Sequence, residues 1–358
     1  MNHMGIPTTV AARTTLPPRK RSRLTAASVA TAAVLVSAPY ASAAPYASAA
    51  TEQTPPRPVV TDVQTLAAFD FAAGGVPENL TVDPDGSLII SMAGSFASKP
   101  PTLVRVDPSG RGKVIAAGQL GDTFAGITRG HDGSVYFNVK SSDASRSGVW
   151  QLPLGGTPHR IAALPTDGLP NGLALDPAGR TLYVADSFKA TVWAVPVSGG
   201  TATAWLTGPA FAADPSVPEP YRLGANGLRF HKGAVWVSNY SKGTLLRIPV
   251  TATGAPGRIH TVTSDLTGAD DFNFLNDRSD VVFAAQYGLT PAKIAVVHPD
   301  GTTETALTSS DGLASPTSTA VRGNQLYITN AGITEQPHDP KLQRGVIVPA
   351  ALRCGPAS

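Results

Sequence analysis

The chain repeats one phrase six times: a polar residue, an apolar alternation, a Gly/Pro/Asp turn and a second apolar strand. The copies open at Glu78 ("ENLTVDPDGSLIIS"), Ala125 ("AGITRGHDGSVYFNV"), Asn171 ("NGLALDPAGRTLYVADS"), Asn226 ("NGLRFHKGAVWVSN"), Asp270 ("DDFNFLNDRSDVVFAAQ") and Thr317 ("TSTAVRGNQLYITN"). Their successive spacings are 47, 46, 55, 44 and 47 residues, the size of a propeller blade. Each copy is followed by a second hairpin, as in "TLVRVDPSGRGKVIAAG" from Thr102 or "TVWAVPVSGGTATAWL" from Thr191. The spacing therefore predicts an all-β, six-bladed β-propeller with four antiparallel strands per blade, A to D from the axis outward.

The ends of the repeat fit together. The sixth copy has a C-like strand, "RGVIVPA" from Arg344, but no D strand follows it. "QTLAAFD" from Gln64 has the character of a D strand and no blade before it. The N-terminal strand is expected to complete the last blade, which removes two open sheet edges.

In such a ring the residue just before each A strand stands at one mouth of the central channel. Those positions read Glu78, Ala125, Asn171, Asn226, Asp270 and Thr317. Singly, Asn or Asp ahead of a strand is a turn residue. Together, two carboxylates and two carboxamides converging on one axis suit a hard divalent cation: Ca²⁺ first, with Mg²⁺, Mn²⁺ or Zn²⁺ open. Glu78, Asn171, Asn226 and Asp270 are the candidate ligands, with Asp271 a further oxygen and Asn79 a neighbour of Glu78.

The phrases "PENLTVDPDG", "LPNGLALDPAGRTLYVADS", "GANGLRF" and "ADDFNF" resemble the calcium-dependent six-bladed propellers of the SMP-30/gluconolactonase/LRE-like family, related to the paraoxonase-type lactonases. The resemblance covers essentially the whole chain after its leader. It implies lactone hydrolysis and a divalent ion held by Glu78, Asn171, Asn226 and Asp270. The Asp-Asp-Phe form at 270–272 is most similar to a branch that includes propellers of natural-product pathways, some with non-hydrolytic reactions. The chain departs from the paraoxonase type in blade 2, where Phe124-Ala125-Gly126 carries no His. The Arg/Asn substrate pair of gluconolactonase-like members is not found there either.

The repeat also sorts the histidines. His131 and His231 fall in A–B turns, His298 in a C–D turn, and His159 and His260 on outer strands, leaving only His338 for the mouth face. Ser91, Ser187 and Ser238 end B strands, but no G-x-S-x-G elbow is present. A metal would then polarise a lactone or ester carbonyl, with Asp270 or Asp271 as general base. The B–C loops add Lys140, Asp186, Asn239 and Tyr240 as candidate substrate contacts, with Gln286 and Asn330 beside them. The spacing of 55 reflects an insertion between Thr207 and Gly224, whose Phe211 and Tyr221 are placed to roof an apolar pocket. A non-catalytic binding propeller with a structural ion is the alternative from a different class.

Arg13, Arg19, Lys20, Arg21 and Arg23 precede an apolar run from Leu24 to Ala38, and Ala41-Ser42-Ala43 and Ala47-Ser48-Ala49 are cleavage candidates. Residues 1–49 therefore read as a secretory signal peptide with a short disordered segment, residues 50–358 as the propeller, and the protein as secreted. Without residues 1–43 the 28 Lys+Arg fall to 23, against 25 Asp+Glu. That balance gives no electrostatic case for nucleic acid, and the apolar run is short for a membrane span. Cys354 is the single cysteine, so no internal disulfide forms.

Overall fold

A computed structural model describes residues 58–352. The leader and Cys354 lie outside the described residues. The chain from β1 (Val60–Ala68) onward forms six four-stranded antiparallel sheets. Blade 1 is β2 (Pro77–Val82), β3 (Leu88–Met92), β4 (Thr102–Val106) and β5 (Gly112–Ala117). Blade 2 is β6 (Thr123–Arg129), β7 (Val135–Lys140), β8 (Gly148–Leu152) and β9 (His159–Ala163). Blade 3 is β10 (Pro170–Leu175), β11 (Thr181–Asp186), β12 (Thr191–Pro196) and β13 (Thr203–Thr207). Blade 4 is β14 (Ala225–His231), β15 (Ala234–Asn239), β16 (Thr244–Pro249) and β17 (His260–Thr263). Blade 5 is β18 (Ala269–Phe274), β19 (Val282–Gln286), β20 (Lys293–Val297) and β21 (Thr303–Thr308). Blade 6 is β22 (Pro316–Arg322), β23 (Gln325–Asn330) and β24 (Lys341–Ile347), and β1 pairs with β24 as its outer strand. The fold is the one the repeat predicts, closed as its ends require.

The core is divided among the seams between blades. Ile89 and Leu103 of blade 1 meet Phe124, Ile127 and Phe137 of blade 2. Tyr136 and Val149 of blade 2 meet Leu173, Leu182 and Val184 of blade 3. Similar clusters fill the seams between blades 3 and 4, 4 and 5, 5 and 6, and 6 and 1. Alternation explains the allocation. In β3, Leu88, Ile90 and Met92 face blade 6 while Ile89 faces blade 2, so a strand buried on both sides reads as a continuous apolar run.

One irregularity recurs. In all six blades the A–B pairing slips at the start of the A strand: between Pro77 and Asn79, Phe124 and Ile127, Pro170 and Leu173, Ala225 and Leu228, Ala269 and Phe272, and Pro316 and Ser318. A bulge bends its strand and re-aims a side chain. The six residues that open the repeat each sit inside one of these bulges.

The bulges are stitched around the ring. Asn138 Nδ2 donates to the Asn171 carbonyl at 2.6 Å, Ser187 Oγ to the Ala225 carbonyl at 2.7 Å, and Ser238 Oγ to the Asp270 carbonyl at 2.8 Å. Thr317 Oγ1 joins blade 6 to blade 1 by donating to the Pro77 carbonyl at 3.1 Å. Ser187 and Ser238 thus hold blades together.

Candidate metal centre at the channel mouth

The residue after each mouth position sets how closely the A strands approach. In blades 2, 3 and 4 it is Gly126, Gly172 and Gly227. A Cβ on Gly126 would lie 2.2 Å from the Asn171 carbonyl oxygen, and one on Gly172 2.3 Å from the Leu228 nitrogen. One on Gly227 would lie 2.4 Å from Asp271 Oδ1. Half the ring is therefore closed by backbone contact. In blades 5, 6 and 1 the same position holds Asp271, Ser318 and Asn79, and side chains close the ring instead. Asp271 Oδ2 accepts from Asn79 Nδ2 at 2.6 Å and from Ser318 Oγ at 2.9 Å. Arg229 Nη2 donates to the same oxygen.

Arg229 belongs to the layer beneath. With Thr81, Thr128, Ala174, Asn273 and Ala320 it lines a 300 Å³ cavity, the lower part of the channel. Its guanidinium reaches up to Asp271 under the ring. Asp271 and Arg229 are 3% and 13% exposed at their side chains, so neither tolerates loss of the other.

Above that floor stand the mouth residues. Asn171, Asn226 and Asp270 are 7%, 1% and 4% exposed, while Glu78 keeps some contact with solvent. Burial, then the Asp271 carboxylate, pushes the Glu78 carboxyl up to about 8. Burial pushes Asp270 well above its usual range, and Glu78 and Asp271 add to the shift. Asn226 and Tyr287 oppose it as donors facing Asp270, although neither amide atom of Asn226 meets hydrogen-bond geometry. Asn171 Nδ2 makes one long contact, 3.4 Å to Ser187 Oγ. In blade 2 Ala125 offers no donor, and in blade 6 the Thr317 hydroxyl is turned into the blade seam.

These residues fit a divalent cation. The donors are carboxylate and carboxamide oxygens, without thiolate or imidazole. Among the described residues no three His, Cys, Asp or Glu side chains form a ligand cluster by themselves, so the amides of Asn171 and Asn226 are needed. Asn226 carries two buried polar atoms without partners, each costing about 1–3 kcal/mol. Glu78, Asp270 and Asp271 set against Arg229 leave two negative charges at full ionisation, which a dication neutralises.

Tyr287 was not singled out by the sequence. It follows Gln286 at the top of β19 and stays partly exposed. Burial and then the charge of Asp270 push its phenol up, with smaller contributions from Tyr240, Glu78 and Tyr221. It is therefore a neutral donor beside both carboxyls. Its carbonyl accepts from Tyr240 Oη at 2.9 Å, and the two rings stand edge to face at 6.0 Å. Tyr221 lies against Gly288, where a Cβ would come within 2.6 Å of its ring and 2.4 Å of Tyr240 Oη.

The other expected contacts are placed differently. Asp186 is fully buried. Its Oδ1 accepts from the backbone of Leu169, Phe188 and Lys189 at 2.8, 3.1 and 3.1 Å, and its Oδ2 from Trp193 Nε1 at 3.2 Å. Asn239 Nδ2 donates to the Ala210 and Ala212 carbonyls at 3.0 and 2.9 Å, which fastens the insertion. Lys140 Nζ donates to the Thr166 carbonyl at 3.0 Å. Tyr240 is fully buried, with burial first and Asp270 second in raising its phenol pKa. Phe211 does not roof a pocket: it is fully buried in the seam of blades 3 and 4, and only Tyr221 of that pair reaches the mouth. His338 stacks on Phe71 at 3.7 Å and bonds the Gly332 carbonyl through Nδ1 at 2.8 Å. A cavity of about 460 Å³ opens elsewhere, between blades 1 and 2 on the opposite face around the Arg105, Arg129, Asp83 and Asp85 ion pairs.

No family profile and no characterised protein sequence matches the chain. Solved structures do. Regucalcin from Agrobacterium tumefaciens, described as a calcium-binding protein, superposes with TM-score 0.57 at 17% identity over 80% of this chain and 93% of that one. A gluconolactonase from Xanthomonas campestris gives 0.57 at 13% identity over 80% and 90%. Virginiamycin B lyase from Staphylococcus aureus gives 0.51 at 13% identity over 80% and 100%. At these identities the likeness shows the β-propeller fold alone.

Proposed function

We propose that the chain is an exported, divalent-metal-dependent hydrolase of lactones or related esters, with Ca²⁺ as the ion. One observation carries the reading: six bulges set one residue per blade at the channel mouth, and four of the six carry carboxylate or carboxamide oxygens, including a buried, unpartnered amide. Regucalcin and the gluconolactonase support it as propellers of the same architecture.

Glu78, Asn171, Asn226 and Asp270 would hold the ion. When bound, it supplies a Lewis acid that polarises the substrate carbonyl, stabilises the developing oxyanion and lowers the pKa of bound water. The protein's own part is positional. Asp271, with Oδ2 held by Asn79, Ser318 and Arg229, orders the floor. Asp270 stands at the mouth and takes the proton as general base, with the Tyr287 phenol facing it. The small-molecule substrate is the partner. Among the described residues no helix is long and apolar enough to cross a membrane.

A second reading is favoured by the deep burial of Asn226 and Asp270: a binding propeller whose ion is structural. One experiment separates the two. Hydrolysis of a lactone and aryl-ester panel and the melting temperature are read after chelation and after adding back Ca²⁺, Mg²⁺, Mn²⁺ or Zn²⁺. Glu78→Gln and Asp270→Asn should abolish the ion-dependent activity. Retention of both metal affinity and activity in the two variants would remove the site assignment. A melting temperature that responds to the ion, with every substrate untouched, would favour the structural ion.

A further inference from the structure

Asp271 uses its two oxygens unequally. Its Oδ2 accepts from Asn79 Nδ2 at 2.6 Å, from Ser318 Oγ at 2.9 Å and from Arg229 Nη2. Its Oδ1 is buried without a donor and lies against Gly227, the residue after Asn226. Asn226 likewise has both amide atoms buried and unpartnered. Buried polar groups are paired as a rule, so two open ones at adjoining positions of the ring call for a further partner. The Asp271 charge is also felt at the mouth. After burial it is what raises the Glu78 carboxyl, and it adds to burial and Glu78 in raising Asp270.

From below, that charge is offset by Arg229. Among the described residues lining this part of the channel, Arg229 is the one charge; Thr81, Thr128, Ala174, Asn273 and Ala320 carry none. Its Nη1 donates to the Leu228 carbonyl at 2.9 Å, which holds the guanidinium against its own strand. Neutral donors already serve Asp271 Oδ2, so hydrogen bonding alone does not require an arginine there. What a guanidinium adds is a charge that burial does not remove. Glu78, Asp270 and Asp271, ionised, set three negative charges against this one positive charge and leave two.

We propose that Arg229 fixes the valence preference of the ring: it is a built-in cation beneath the ligands that matches the site to a divalent ion and disfavours a trivalent one. This rests on the metal reading above. The repulsion a fixed positive charge exerts on a bound ion grows with the charge of that ion, so its removal favours a trivalent ion more than a divalent one. Arg229 and Asp271 are both buried at their side chains, so salt screens the effect little.

The test reads the affinities of the intact protein for Ca²⁺ and for Tb³⁺ by calorimetry. Tb³⁺ is trivalent, also takes oxygen ligands and is close to Ca²⁺ in size. Arg229→Met should raise the ratio of Tb³⁺ to Ca²⁺ affinity roughly tenfold or more, and Asp271→Asn should lower it by a similar factor. Arg229→Met combined with Asp271→Asn removes one charge of each sign and should return the ratio to within about threefold of the unsubstituted value. A merely structural role predicts the opposite order, with the double variant at least as far from the unsubstituted protein as either single one. If Arg229→Met alone does not fold, Asp271→Asn against the double variant supplies the same one-charge comparison. A ratio that stays constant while both ions bind, or a double variant that departs as far as the single ones, would overturn the inference and leave the metal centre standing. Binding of neither ion, or binding of both unchanged when Glu78→Gln and Asp270→Asn are combined, would remove the metal centre and the inference with it.

Discussion

The most direct probe of the ring is Glu78→Gln, read as stability against pH in chelator. The Glu78 carboxyl is raised from 4.5 to about 8, first by burial and then by Asp271. A raised carboxyl binds its proton more tightly folded than unfolded. Its contribution is fully present below pH 4.5 and is lost as pH rises through 8. The shift corresponds to about 5 kcal/mol as a ceiling, at about 1.4 kcal/mol per unit. Glu78 keeps some solvent contact, so roughly half of that is the expected loss between pH 5 and 9. Glutamine mimics the protonated acid. The variant should therefore lose less stability over that window, and at pH 9 in chelator its melting temperature should stand roughly 4–8 °C above that of the unsubstituted protein. Saturating Ca²⁺ should reverse the order. It should stabilise the unsubstituted protein by about 3 kcal/mol at a hundred times Kd, and the variant by less. Differential scanning calorimetry from pH 5 upward avoids the acid range, where Asp107, Asp143, Asp214 and Asp300, all held below their usual values by hydrogen bonds, lose their own contributions. Parallel pH profiles for variant and unsubstituted protein in chelator would refute the reasoning, because Glu78 would then not feel Asp271 or its buried setting.

Two further outcomes follow from the same geometry. Arg229→Met should destabilise the fold by about 3–5 kcal/mol in a urea titration, since it leaves Asp271 buried without its cation, and Asp271→Asn in that background should restore part of the loss. Gly172→Ala should cost several kcal/mol and weaken Ca²⁺ binding in calorimetry, because its Cβ meets blade 4 backbone at 2.3–2.5 Å; Gly208→Ala, with nothing within 4 Å, should stay within about 0.5 kcal/mol.

The architecture was legible because it is repetitive. Six copies of one hairpin phrase, with a surplus strand at one end and a missing strand at the other, admit little besides a closed ring. Most histidine placements followed, since a residue's position in the repeat fixes which end of a blade it occupies: His131 and His298 fall at turns and His159 and His260 on outer strands, while His231, expected in a turn, is the last residue of β14. The substrate contacts did not follow. Position in the repeat places Asp186, Asn239 and Asn330 at B-strand ends on the mouth face, yet says nothing of rotamer. Each turns inward because a B–C loop or a nearby segment has backbone groups that need partners. Phe211 was misplaced for a similar reason. An insertion must bury something to hold its shape, and its wholly apolar Phe211 went into the seam while Tyr221 stayed at the mouth.

Two residues that matter to the ring left only faint marks. Arg229 stands where the other A strands have Thr81, Thr128, Ala174, Asn273 and Ala320, so it is the one charge in its channel layer. Its meaning depends on Asp271, 42 residues away in sequence. The pair is a consequence of how the circle is closed. Three consecutive blades bring their A strands into contact through Gly126, Gly172 and Gly227, and the other three hold the axis with the side chains of Asp271, Ser318 and Asn79. Asp271 spans two blades and is buried, so it needs a counter-charge that comes from inside the channel, and the blade before it supplies Arg229. The Asn-Gly motifs and the Asp-Asp motif therefore solve the same problem of packing six strands around one axis. The first residue of each of these motifs faces the mouth, and the second closes the ring beneath it.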